Sequence, residues 1–165
     1  MSRLNPALYV VALLLACGCA LGGWFAWQEH GDRADAKQEA ERYGAVIGSA
    51  TDLTTAFINI DYRTLDENFA AVADGSTGQF KKDYSEASGP LTDLITQEQS
   101  VRTGKVIWAG VVSVDKDSAR VIAATEGTVA NKATEGKPFA EYFRLQLDLQ
   151  LVKGEWLTSN VEFVG

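Results

Sequence analysis

Few side chains in this sequence could do acid–base work. Asp61, Asp66, Glu126, Asp148 and Glu162 are conceivable general bases, with Tyr62 or Tyr142 as neighbours. Each would need an apolar pocket to raise its pKa into a useful range. The structural alternative is plain for two of them. Asp66 falls in the first turn of an expected helix, where negative charge favours the dipole. Asp148 alternates with leucines and so faces water. The single histidine, His30, lies beside the apolar N-terminal run, which leaves no Ser-His or Cys-His nucleophile in the rest of the chain. Cys17 and Cys19 both lie inside that run, so the remainder has neither a disulfide framework nor an ordinary transition-metal site. Gly75 and Gly78 lack the preceding strand and the following Lys-Ser/Thr of a phosphate loop. No catalytic residue, cofactor or metal is expected.

The elements that would carry any such residues begin with an anchor. Ala7 to Trp27 contains no charged residue. As a helix it spans roughly 31 Å, the thickness of a bilayer's hydrocarbon core. Tyr9 at one end and Trp24 and Trp27 at the other suit the two interfaces. A cleaved signal would have a shorter core and a small-x-small site. Leu14-Leu15-Ala16-Cys17 loosely resembles a lipobox, and processing at Cys17 is the competing reading. A lipidated cysteine should lead into a polar tether, however, and here it leads into Gly18–Trp27. Residues 1–28 therefore read as a single-pass transmembrane helix. The N-terminus is placed in the cytoplasm, and the large C-terminal domain on the outer side of the plasma membrane. Gly18 and Gly22 form a small-residue step that allows close packing of a second membrane helix.

All 22 acidic residues and 14 of the 15 basic ones lie beyond the anchor, so that part carries a net charge of −8. Phosphate backbones would repel it, which argues against nucleic acid as a partner. Residues 29–42 are polar and rich in helix formers, and read as a helical stalk. Residues 43–165 read as one α+β domain. Tyr43, Val46, Ile47, Ala50, Leu53, Phe57 and Ile58 recur at helical spacing, and this helix continues the stalk if Gly44 and Gly48 permit. Thr64 with Glu67 forms a capping-box pattern that opens a helix at Leu65. Phe80 and Tyr84 mark a short helix, and Ser88-Gly89-Pro90 opens another that runs to about Ser100.

From Val101 the period falls to 2, which predicts four strands in an antiparallel meander with the helices packed on one face. Leu145, Leu147, Leu149 and Leu151 share one side of the third strand. The first strand is apolar on both sides, with Val106, Trp108, Val112 and Val114 on one and Ile107, Ala109 and Val111 on the other. Either something covers its second face or the strand is simply buried.

Three strings, DYRTLDENFAAVADGSTGQFKKDY, VIWAGVVSVDKDSARVIAATEGTV and FRLQLDLQLVKGEWLTSNVEFV, resemble the mammalian-cell-entry (Mce) associated membrane proteins of actinobacteria. The resemblance runs from about Tyr43 to Val164. It implies a cone-like extracytoplasmic domain similar to nuclear transport factor 2 and SnoaL-like proteins, and partnership with subunits of an Mce-type lipid importer in the envelope. It carries no catalytic signature. The expected function is thus a non-enzymatic accessory subunit. A module enclosing a lipid or small apolar ligand is the alternative, and a pocket isomerase or dehydratase a third. Trp108, Phe139, Phe143, Trp156 and Phe163 would line the lipid pocket or a partner face, or else fill an ordinary core.

Overall fold

The structure, a computed structural model, describes residues 36–165. The anchor expected over residues 1–28, the Gly18/Gly22 step, His30 and the first half of the stalk lie outside the described residues. The chain divides into two units at Arg42/Tyr43. Helix α1 covers residues 36–58 and runs through Gly44 and Gly48 without a break. Strand β1 (Ile60–Asp61), helix α2 (Leu65–Asp74) and helix α3 (Gly78–Glu98) follow. The chain then forms β2 (Val101–Val114), β3 (Ser118–Ala130), β4 (Phe139–Val152) and β5 (Glu155–Phe163). Among the described residues no helix is long and apolar enough to cross a membrane.

The expected α+β order is observed, with corrections. The sheet has five antiparallel strands in the order β1-β2-β3-β4-β5, not four. Strand β1 is only two residues long and pairs Ile60 with Arg102 and Asp61 with Val101. A two-residue strand leaves no period to read. The two expected helices between Gly78 and Ser100 are one, with Pro90 inside it. Hydroxyls meet carbonyls around the proline. Ser85 donates to Lys81 O, Ser88 to Ser85 O and Thr92 to Ser88 O, all at 2.7–2.8 Å. Helix α2 starts where the capping box predicts, but Thr64 makes no cap bond. Its hydroxyl lies instead 3.5 Å from Asn68 Oδ1.

The core forms where α1 crosses the sheet. Val46, Ala50, Leu53 and Ile58 are buried against Ala119, Val121 and Ala123 of β3 and Leu145, Leu147 and Leu149 of β4, with Val72 of α2 and Trp156 of β5. Leu151, the fourth leucine of the row, is 39% exposed because it lies beyond the helices' cover. Burying each leucine contributes about 1.5–3 kcal/mol. The β4–β5 hairpin turns through Lys153 and Gly154, both at positive φ, as a two-residue turn requires.

Two β-bulges, at Val106/Trp108 and Val111/Ser113, correct the reading of β2. Each inserts a residue and shifts the alternation by one. Val106, Ala109, Val111 and Val114 consequently all pack against the core. Ile107, Trp108 and Val112 are left 53%, 58% and 56% exposed. The strand is apolar on both sides because its outer side is apolar and uncovered.

Asn59 joins α1 to the sheet. Its Nδ2 donates to Thr55 O at 2.7 Å and to Gly104 O at 3.0 Å, and its Oδ1 accepts from Gly104 N at 3.0 Å. The side chain thus extends the β1–β2 ladder by one step. Replacing it with alanine strands both backbone groups of Gly104, and Asn59→Ala should cost about 1–3 kcal/mol in urea unfolding. Thr54 behaves oppositely. Its hydroxyl is buried without a hydrogen-bond partner. Thr54→Val keeps the shape and removes the orphan, and is expected to stabilise the chain by up to about 1 kcal/mol in the same assay.

Candidate protein-interaction surface

Aromatic rings fill part of the side of the sheet facing the helices, and an open cleft of about 630 Å³ remains between α1, α2 and β5, lined by Leu53, Ala56, Gly75 and Trp156 among others. Phe57 of α1 packs on Tyr84 of α3 at 6.0 Å, on Phe80 at 6.4 Å and on Phe163 of β5 at 6.3 Å between ring centroids. Tyr84 also meets Phe69 of α2 edge-on at 5.7 Å, and Phe163 meets Phe143 of β4 at 5.6 Å. Burial among these rings pushes the Tyr84 hydroxyl pKa up. Beyond Phe143, Arg102 Nε lies 2.7 Å from Glu141 Oε2, with the guanidinium 5.4 Å over the Phe143 ring. That Nε–H is not aimed at the oxygen; the hydrogen bond of the pair runs from Arg102 Nη2 to Glu141 Oε1 at 3.4 Å. The space left between Ile58, Arg102, Thr125, Glu141 and Phe143 is about 10 Å³. One water needs at least that much, and a ligand site roughly 300 Å³ or more.

The five aromatics singled out from the sequence do not converge on one cavity. Trp156 is in the core at 8% exposure. Phe143 and Phe163 belong to the ring cluster, although Phe163, at the end of β5, stays 64% exposed. Phe139 and Trp108 are outside, 68% and 58% exposed. The rings that close the interior, Phe57, Phe69, Phe80 and Tyr84, were legible only as helix-face positions.

The conceivable bases are committed elsewhere. Asp61 grips Arg63 through two bonds, Nε to Oδ1 at 2.8 Å and Nη2 to Oδ2 at 2.5 Å, and also accepts from Arg63 N at 3.0 Å. These hydrogen bonds hold its carboxyl down at about 2, against an ordinary 3.8. Asp148 accepts from Arg120 Nε at 2.6 Å across the β3–β4 pair. Arg120 first, then Asn160, lowers its pKa. Glu126 pairs with Lys105 Nζ at 3.0 Å on the outer side of the sheet. Its cross-strand neighbour is Tyr142, 72% exposed. Glu126 and Tyr142 share an open groove of about 430 Å³ with Thr103, Lys105 and Ala140. Glu162 accepts from Asn160 Nδ2 at 2.9 Å. Asp66 is exposed in the first turn of α2. None of the five is a buried acid beside a tyrosine. Among the described residues no three of His, Cys, Asp and Glu gather to hold a metal ion.

What the sheet offers instead is apolar outer surface. The Trp108 indole lies flat over Gly110, where a Cβ would sit 2.6 Å from two ring atoms. Only glycine leaves room for the ring there, and Ile107 and Val112 are exposed on the same strand. Along the edge of β2, β1 and Asn59 occupy Val101 to Gly104. Beyond Gly104 no backbone hydrogen bond among the described residues reaches that edge. The opposite edge is different. Trp156 O of β5 accepts from Ser49 Oγ. Thr158 N donates to Gly75 O at 3.0 Å, and Thr158 O accepts from Thr77 N at 2.8 Å.

Helices on one face of a curved antiparallel sheet, a ring-packed interior and a bare outer edge describe a domain of the nuclear-transport-factor-2 and ketosteroid-isomerase-like fold. The chain belongs to the family described as "Uncharacterized protein Rv1363c/MT1408-like", whose model matches residues 5–165. Rv1363c of Mycobacterium tuberculosis is 29% identical over 164 residues. That alignment covers 98% of this chain but 60% of Rv1363c, so the chain spans about three fifths of the relative's length. Among solved structures, the periplasmic domain of DotI is similar with a TM-score of 0.61 at 11% identity, over 73% of this chain and 94% of that one. An IcmL-like type IV secretion system protein from Legionella pneumophila reaches 0.59 at 11% identity, over 72% and 88%. A ketosteroid isomerase-like protein from Erwinia carotovora atroseptica reaches 0.52 at 21%, over 76% and 98%. At these identities the likeness is one of fold alone.

The Asp61–Arg63 pair sets a pH dependence. A carboxyl held at about 2 when folded and at its ordinary 3.8 when unfolded stabilises the fold fully above that ordinary value. The contribution fades as pH falls from about 4 toward 2. Arg63→Ala should return the Asp61 carboxyl toward 3.8 in an NMR titration. A carboxyl that stayed near 2 in that variant would show that another group holds it.

Proposed function

We propose that this chain is a non-enzymatic, membrane-anchored accessory subunit of a protein complex in the cell envelope, associated with an Mce-type lipid importer. In this reading residues 1–28 cross the plasma membrane once from a cytoplasmic N-terminus, with Gly18 and Gly22 packing on another membrane helix. Residues 29–42 form the stalk, and residues 43–165 stand on the outer side.

The observation that carries the reading is the exchange of interior for exterior. The space beside Phe143 at the end of the ring cluster is down to about 10 Å³, while Ile107, Trp108, Val112 and Tyr142 stay outside. This favours recognition of other surfaces over enclosure of a lipid at that point. Any lipid handled by the complex would then travel on a partner chain. The likeness in fold to the periplasmic domain of DotI and to an IcmL-like secretion-system protein supports an envelope setting. The Mce link rests on the strings around Asp61–Leu65, Gly110–Ser113 and Gly154–Leu157.

The test is crosslinking of the tagged full chain in its own membranes, followed by gentle solubilisation and identification of attached chains. Importer subunits are expected. Recovery of the chain alone, or of a tightly retained lipid in stoichiometric amount, counts against the proposal.

A further inference from the structure

We infer that two copies of this chain pair antiparallel through the open edges of β2, about a two-fold axis at Gly110. The inference stands apart from the proposed envelope role, because it concerns what the edge fits and not which complex the chain serves.

A strand edge with unpaired N–H and C=O groups is a template for another strand. Proteins that stay apart block such edges with charge, proline or a covering segment. Strand β5 has that cover in Ser49 and the Gly75–Thr77 loop. Among the described residues, strand β2 is covered only as far as Gly104. Its open stretch, Val106–Val114, carries no charged residue and no proline, and three of its side chains are large, apolar and more than half exposed.

The sequence of that stretch suits a second copy of itself. Gly110 is its midpoint, and the first charges on either side are Lys105 and Asp115. Antiparallel pairing about Gly110 sets Val106 opposite Val114, and Trp108 opposite Val112. An aromatic therefore meets a β-branched residue twice, a favourable cross-strand combination. The same register sets Lys105 opposite Asp115, also twice. Lys105 is exposed and reaches toward solvent beside Glu126. Among the described residues the Asp115 carboxylate has no ion-pair partner; only its backbone is used, with Asp115 N donating to Ser118 O at 2.8 Å. Sliding the register by two residues changes this complementarity. One direction puts Lys105 opposite Ser113; the other brings Lys105 to Asp117 but sets Asp115 opposite Ile107 and Lys116 opposite Val106. The bulges at Ile107 and Val112 fall on either side of the midpoint. At the axis the two Gly110 residues meet, each beneath its own indole, with no side chain to hold the strands apart.

Two arms test the register in the full chain carrying Cys17→Ser and Cys19→Ser. In the first, a Lys105→Cys copy and an Asp115→Cys copy with different tags are expressed together in membranes and oxidised. Directly opposed residues have Cα atoms about 4.5–5.5 Å apart, within disulfide reach. Two Lys105→Cys copies in this register hold their cysteines on the order of 33 Å apart, as ten residues of strand require. Efficient crosslinking of the mixed pair and not of the matched one is expected. In the second arm, Lys105→Glu or Asp115→Lys alone should weaken the dimer about tenfold by setting like charges opposite, and the double variant should restore it. Restoration separates contact between copies from damage within one copy, since loss of the Lys105–Glu126 pair is not repaired by Asp115→Lys. A monomer in both membrane and detergent, equal crosslinking of matched and mixed pairs, or a double variant no better than the singles would overturn the inference.

Discussion

The leucine row of β4 must be covered, and α1 is the element that covers it. Leu145, Leu147 and Leu149 are almost wholly buried, and the stripe Val46–Ala50–Leu53 lies across them. Left in water, three such side chains would each cost about 1.5–3 kcal/mol, a large share of a domain's marginal stability. The other placements follow from this one. Asn59 at the end of α1 is brought to the edge of β2, where its amide stands in for a strand residue. Phe57, the penultimate residue of α1, is brought against the rings of α3 and β5.

That ring cluster decides what the domain can do. Phe57, Phe69, Phe80, Tyr84, Phe143 and Phe163 pack together between the helices and the sheet, and the Arg102–Glu141 pair stands beside Phe143. Large rings are efficient at this because each buries much area with little rotamer entropy lost. Asp61 and Asp148 are held in their charged form by arginines at the surface.

The two edges of the sheet are unequal, and the inequality is local in origin. The Gly75–Thr77 loop reaches Thr158 because α2 and α3 are joined by so few residues that the loop is pulled against β5. Gly75 permits this, as a Cβ there would meet Leu53 Cδ1 at 2.9 Å. On the other side β1 ends after two residues because the chain turns into α2 at Thr64, held by the Asp61–Arg63 clasp and Asn68. Among the described residues nothing pairs with the rest of that edge of β2.

Much of this was legible in the residues alone. Helical spacing in Val46–Ile58, alternation in Leu145–Leu149 and the Lys153-Gly154 turn depend on period and turn chemistry, which neighbouring residues set between themselves. The order of helices before strands, and hence the α+β class, followed from them. Absence of a triad or phosphate loop was equally a matter of which residue types are present. The bulges in β2 were not legible. They arise because β3 offers one residue where β2 has two, and that count exists only once the strands are paired. For the same reason the sequence pattern put Trp108 with Val106, while the folded sheet separates them. Pro90 reads as a helix start from local preference, yet α3 continues through it. Whether five aromatics form a cavity or plug one depends on where α1 sets Phe57, and only the packed chain decides that, because rings tens of residues apart have no local interaction to record it.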